Sequence, residues 1–355
     1  MGVVRYHAAL HDDVVAFQSL AYPKRRPDWA RPRWEWMFLQ SAERVGVAPA
    51  VWVYRDVNGV QGQRGAIMVR VWCGATEVVA GWLVDTVVLP AVRGRGVGAR
   101  LVRHATRELP VGLSLGQTEV IRAIQDGEGW RDVARMRCWS LVLQRDRAFR
   151  GRVANTFARA AVAWAAMTWG MVGQTLAGRP RRGEVSHVSH FDESHDRLWA
   201  RVRPQFGCAA VRDAAYLNWK YVDQPGLHAR RLSIVDGSGE LVGVCVWAKY
   251  DASETHSYTR GWILDMVVDL SSPADVRTVL ASVIGDARSA RVDVLEFDVF
   301  APSLDHILWR TGWLRGGTTR HLRAAVHGVP PEVKAHLTTA DSWFLTRGDS
   351  DGDHP

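Results

Sequence analysis

Residues 93 to 98 read Arg-Gly-Arg-Gly-Val-Gly and follow an apolar run, 81 to 88, that carries a single carboxylate, Asp85. Glycine adopts positive φ readily and lets backbone approach closely, so with Gly94, Gly96 and Gly98 on every second residue the consecutive N–H groups of the loop can converge on an anion. Residues 99 to 108 have helical composition, which brings the positive end of a helix dipole to the same spot. Arg93 and Arg95 can add charge-assisted hydrogen bonds from the rim, and a diphosphate fits such a cup. A dinucleotide fingerprint, with its G-x-G-x-x-G and later acidic residue, fits less well, and the G-K-[ST] of a Walker loop is absent.

The elements that must position this loop read as α/β. AVWVYRDVNG alternates as a strand ending in an Asn-Gly turn, QRGAIMVRVWCG and WLVDTVVLP continue as strands, and ARLVRHATREL reads as a helix. Further along, HARRLSIVDGSGELVGVCVWAKY reads as a hairpin, WILDMVVD as a strand and ADVRTVLASVIGDARSA as a helix. A strand at 292–300 and a short helix near 307–311 follow.

The two series resemble each other. Trp36 in RWEWMF and Trp219 in LNWKYV are 183 residues apart, GWLVDTVV at 81–88 matches GWILDMVV at 261–268 at an offset of 180, and Gly129 matches Gly312 at 183. Three matches in one order at nearly constant spacing predict an internal duplication. The expected domains are 1–147, a connector at 148–184, a second copy at 185–335, and a polar tail at 336–355 whose end, RGDSDGDHP, reads as disordered.

The order of elements, with Val88, Pro90, Arg93, Gly94, Gly96 and Gly98 as V-x-P-x-x-R-G-x-G-x-G, resembles the GNAT superfamily of acyl-CoA N-acyltransferases. The resemblance implies two tandem GNAT-like domains, each a mixed, mostly antiparallel twisted sheet flanked by helices. It implies that the backbone of Thr86, Val87 and Val88 pairs with the pantetheine arm of acetyl-CoA or another acyl-CoA. The loop Arg93, Gly94, Arg95, Gly96, Val97, Gly98 would hold the pyrophosphate, and Thr118 stands where the family often has a cofactor-side asparagine. Transfer would go directly to an amine of a small molecule, such as an amino sugar or a secondary-metabolite intermediate.

Asp85 is the candidate base, since burial in an apolar strand would raise its pKa; the alternative is a structural hydrogen bond, which Asp265 at the matching place favours. Glu77 and Asp126 are secondary candidates. The family's tyrosine acid is replaced by Gln125, so a non-catalytic acyl-CoA-binding regulator stays open beside the enzyme. In the second copy Pro273, Val276 and Thr278 replace Arg93, Gly96 and Gly98, and no anion cup is expected. Trp36, Trp219 and Tyr221 are either acceptor-stacking residues or aromatic core anchors.

The formal charge of +8 suits anionic partners, or reflects a scatter of arginine along the chain. A Fem-type aminoacyl-tRNA-dependent transferase is a further alternative, although no RNA-binding motif is visible and no nucleic-acid partner is expected. The four cysteines, at 73, 138, 208 and 245, show no CxxC pairing, so neither a metal site nor a disulfide framework is expected. With no basic stretch leading into an apolar run near Met1, a cytoplasmic protein is the expectation. Residues 160–178 carry no charge and have basic flanks. They read as a helix packed between domains, then as a membrane-surface contact through 145–183, then as a span.

Overall fold

The computed structural model describes residues 2–23, 27–144, 155–176, 184–253 and 257–352. The first half runs β1 (Gly2–Arg5), α1 (His11–Ala21), α2 (Pro27–Glu35), α3 (Ser41–Arg44), β2 (Ala50–Asp56), β3 (Gly59–Cys73), β4 (Thr76–Val88), α4 (Val97–Glu108), β5 (Val111–Leu115), α5 (Glu119–Asp126) and β6 (Arg131–Val142). Helix α6 (Thr156–Leu176) follows. The second half runs β7 (Glu184–His187), α7 (Glu193–Val202), β8 (Cys208–Ala210), α8 (Ala214–Tyr221), β9 (Ala229–Val235), β10 (Leu241–Tyr250), β11 (Arg260–Val268), α9 (Pro273–Ser289), β12 (Val294–Phe300), α10 (Pro302–Arg310) and β13 (Leu314–Val326). Helix α11 (Pro331–Thr338) and β14 (Leu345–Thr346) complete it.

The strands join one sheet in the order β1-β2-β3-β4-β5-β13-β6-β12-β11-β10-β9-β7, with β8 on β3 and β14 on β12. Exchanging β1 to β6 for β7 and β9 to β13 reverses this order onto itself. The last strand of each half lies inside the other half: β13 pairs antiparallel with β5, and β6 with β12. The expected boundaries therefore do not separate two sheets. Backbone pairing is continuous across the middle, where β6 and β13 pair with each other.

Packing follows the same line. One hydrophobic cluster reaches from Leu10 through Trp139 and Trp219 to Leu345. Trp36 and Trp219 stack at 4.8 Å between centroids, and each indole N–H donates to the other's carbonyl oxygen, at 2.8 and 3.3 Å. The expected disordered tail is instead internal up to residue 352. It is held by polar contacts: Lys220 Nζ donates to Ser350 O at 2.6 Å, and Arg347 pairs with Asp298 at 2.5 Å. Residues 353–355 lie outside the described residues. Strand pairing also brings Cys73 opposite Cys208, with sulphurs 3.1 Å apart, a cysteine contact that spacing in the chain did not suggest.

Candidate active site

Strand β4 pairs with β3 along its length, but with its parallel neighbour β5 only at Gly81↔Gly112 and Trp82↔Leu113. Beyond Trp82 the two strands part, so residues 83–88 turn an edge without a ladder partner toward the gap. Within that edge the β3–β4 register slips between Gln63 and Gly65, setting Arg64 against both Asp85 and Thr86. Asp85 takes φ +50, the mark of a bulge that re-aims the strand. A non-glycine residue in this region is uncommon and is strained.

A cleft of about 190 Å³ opens at the gap, lined among others by Arg64, Asp85, Thr86, Ser114, Thr118 and Asp351. Asp85 is partly buried and accepts a 2.8 Å hydrogen bond from the Tyr22 hydroxyl. Arg64 Nη1 donates to the Thr86 hydroxyl, while its Nε and Nη2 are buried with no hydrogen-bond partner among the described residues. Burial pulls this guanidinium down to about 9. A buried cation whose Nε and Nη2 lack partners among the described residues is costly to keep, and anionic charge arriving in the cleft would offset that cost.

The loop beyond β4 begins with one 3₁₀ turn at Pro90–Val92. Gly94 and Gly96 then take φ +77 and +72, with Gly96 capping the N-terminus of α4. A Cβ at either glycine would meet nothing within 4 Å, so the left-handed backbone, not crowding, selects glycine there. The first turn of α4 carries no acidic residue, and Val97 anchors it in the core. Its free N–H groups therefore face solvent without competition from a side-chain cap. Arg93 and Arg95 are exposed, and Arg93 Nε donates to Val88 O at 3.0 Å, tying the loop to the end of β4. Open backbone donors, a helix N-terminus and two rim arginines fit a diphosphate, and the unpaired edge of Thr86 to Val88 fits an extended amide chain. Thr118, the N-cap of α5, stands on the far wall.

The matching place in the second half is filled. Strands β11 and β12 pair in parallel from Arg260↔Val294 to Ile263↔Phe297, then part. Into the gap comes β14, pairing with Val299 and Phe300, and Gly348 N donates to Leu264 O at 2.7 Å. Asp265, 1% exposed, accepts from Arg212 Nε at 2.9 Å, Tyr221 Oη at 2.9 Å and Thr346 Oγ1 at 3.0 Å. Arg212 Nη2 also reaches Asp349 at 2.9 Å. Burial alone would lower the Arg212 pKa; Asp265 and Asp349 more than offset it and hold the guanidinium above its usual range. Here α9 is capped by its own Ser272 and carries Asp275 in its first turn, so an anion has no welcome.

Other expected residues lie elsewhere. Trp36, Trp219 and Tyr221 are buried, the first two with their faces on each other and the third bonded to Asp265, so they are core anchors and offer no surface for an acceptor. Glu77 pairs with Arg70 at 3.1 Å and Arg203 at 3.2 Å, and Asp126 pairs with Arg323 of the inserted β13. Gln125 is fully buried and accepts from Arg323 Nη1 at 3.3 Å. Sequence reading missed Arg64, Tyr22 and Asp351. Arg64 was the one with a signal, a lone cation just before the apolar run GAIMV.

A GCN5-related N-acetyltransferase from Anabaena variabilis superposes with a TM-score of 0.62 at 12% identity, covering 90% of this chain and 71% of that one. The fold is that of the GCN5-related N-acetyltransferases. A GCN5-related N-acetyltransferase from Kribbella flavida matches at 0.57 and 14% identity, over 91% of this chain and 69% of that one. The Saccharomyces cerevisiae N-myristoyltransferase, solved with bound myristoyl-CoA, matches at 0.56 and 11%, over 95% and 88%. No protein-family model and no curated protein matches the sequence. Coverage of nine-tenths or more means that the GNAT-like superpositions extend over both halves of this chain.

Proposed function

We propose that the chain is an acyl-CoA-dependent N-acyltransferase whose working site is the β4–β5 cleft of the first half. One contrast carries the reading: the first gap between parallel strands is open and leads into a left-handed glycine loop at a helix N-terminus, whereas its counterpart is plugged by the chain's own β14. The palindromic strand order supports descent from a duplicated unit that kept one cofactor site, with the second half supplying β13 and the tail residue Asp351 to the first.

Thr86, Val87 and Val88 would pair with the pantetheine arm, Arg93 to Gly98 would hold the diphosphate, and Thr118 would close the far side. The thioester supplies the activated acyl carbon, with acetyl as the favoured group. Attack by the amine nitrogen forms the amide, the carbon–sulphur bond breaks, and the nitrogen's proton leaves for Asp85, directly or through water. Asp85 is oriented for this by Tyr22. With Gln125 sequestered, the unpaired nitrogens of Arg64 would serve as donors to charge developing on the thioester oxygen or sulphur. The acceptor we favour is a small-molecule amine, such as an amino sugar or a secondary-metabolite intermediate.

The test is free-thiol release from acetyl-CoA across a panel of amino sugars, polyamines and amino acids, beside direct binding of acetyl-CoA. Thiol release that depends on one amine class supports the enzyme. Binding of acetyl-CoA with no release against any amine favours the regulator, which the buried Gln125 would suit.

A further inference from the structure

Helix α6 has two faces of opposite kind. Its inner stripe, Ala163, Ala166, Gly170 and Gly173, is buried; a Cβ added at Gly173 would strike the backbone of Gly312, and one at Gly170 would press on the Leu141 side chain. Its outer face carries Phe157 (88% exposed), Trp164 (52%), Met171 (56%) and Leu176 (80%), with no acidic residue in the helix and Arg159 as its one charge. An exposed helix face is ordinarily polar, and an apolar surface of this extent marks an interaction site.

The surroundings say what would cover it. Beside the outer face, Trp169 and Trp309 meet at 5.5 Å over a groove of about 600 Å³ whose lining holds Arg277, His306 and Arg310 and no carboxylate. In sequence four arginines and one aspartate in 145–152 precede the helix, and three arginines in 179–182 follow it. Half-exposed tryptophans beside Arg277 and Arg310 match the layered chemistry of a bilayer surface, apolar below and anionic at the headgroups. Among the described residues no helix is long and apolar enough to cross a membrane, so the geometry is one of lying on it.

We propose that α6 docks this protein, by its outer face, on an anionic lipid surface. The acidic headgroups engage Arg277 and Arg310 of the groove while Trp164, Met171 and Leu176 enter the interface.

The experiment is flotation of the full chain with vesicles of phosphatidylcholine alone and of phosphatidylcholine mixed equally with phosphatidylserine, at low and high salt. Wild type is expected to float with the mixed vesicles, at least about tenfold more than with the neutral ones, and less as salt rises. A Trp164→Glu, Met171→Glu, Leu176→Glu variant, with thermal unfolding to check its fold, is expected to stay behind. Folded wild type that ignores mixed vesicles, or floats equally with both compositions, overturns the proposal. A wild-type dimer that the same substitutions dissolve also overturns it, by assigning the face to self-association.

Discussion

Replacing Arg212 by methionine would leave Asp265 and Asp349 buried without their shared cation. Arg212 holds Asp265 through Nε at 2.9 Å and Asp349 through Nη2 at 2.9 Å, and gives Nη1 to Ala210 O at 2.9 Å, with both carboxylates 1% or less exposed. Removing one side of such a buried network costs about 3–5 kcal/mol. At about 2.1 cal/mol/K per residue, unfolding entropy for 355 residues is roughly 0.75 kcal/mol/K, so the melting temperature should fall by about 4–7 °C. The sign with pH is fixed. Uncompensated buried carboxylates have raised pKa values, the folded state then binds protons that the unfolded chain does not, and the variant recovers stability as pH falls from about 7 toward 5. Scanning calorimetry at both pH values reads this, and acetyl-CoA affinity should move less than about threefold because the loop is in the other half. An unchanged melting temperature, or a lost affinity without a lost melting temperature, would refute the assignment of this second carboxylate to folding.

Asp85→Asn should lower kcat by about 10²- to 10⁴-fold with little change in acetyl-CoA Kd, measured by thiol release and calorimetry, and Tyr22→Phe should lower it less. Arg64→Met removes a buried cation with two unpaired nitrogens, so thermal unfolding should show equal or greater stability while turnover falls; a loss of both would mean that Arg64 is structural. Because burial brings Arg64 down to about 9, its charge is present below that pH and is lost above it. The pH profile of kcat/KM, which reports the free enzyme, should accordingly fall as pH rises through about 9, and Arg64→Met should flatten that limb.

Local chemistry was the legible part. The alternating glycines imposed their own turn, the apolar runs became the expected strands, and the repeat offset of 183 is the separation of the two tryptophans that stack on each other. What depended on long-range pairing was not legible. Nothing in the residues of β6 or β13 says that each pairs inside the other half, because a strand's face pattern is the same beside either neighbour. The tail misled because polar composition ordinarily means solvation, yet Asp349 and Ser350 are bonded internally to Arg212 and Lys220. The burial of Trp36 and Trp219 was not legible either, because composition does not reveal it.

The central claim is that the open cleft and loop of the first half hold the acyl-CoA. Isothermal titration of acetyl-CoA into wild type, into Gly96→Glu, and into Pro273→Glu in the corresponding segment of the second half tests it most directly. The account predicts one binding site in wild type, abolished by Gly96→Glu and untouched by Pro273→Glu. Absence of binding by folded wild type, or binding that survives Gly96→Glu and is lost in Pro273→Glu, would contradict it.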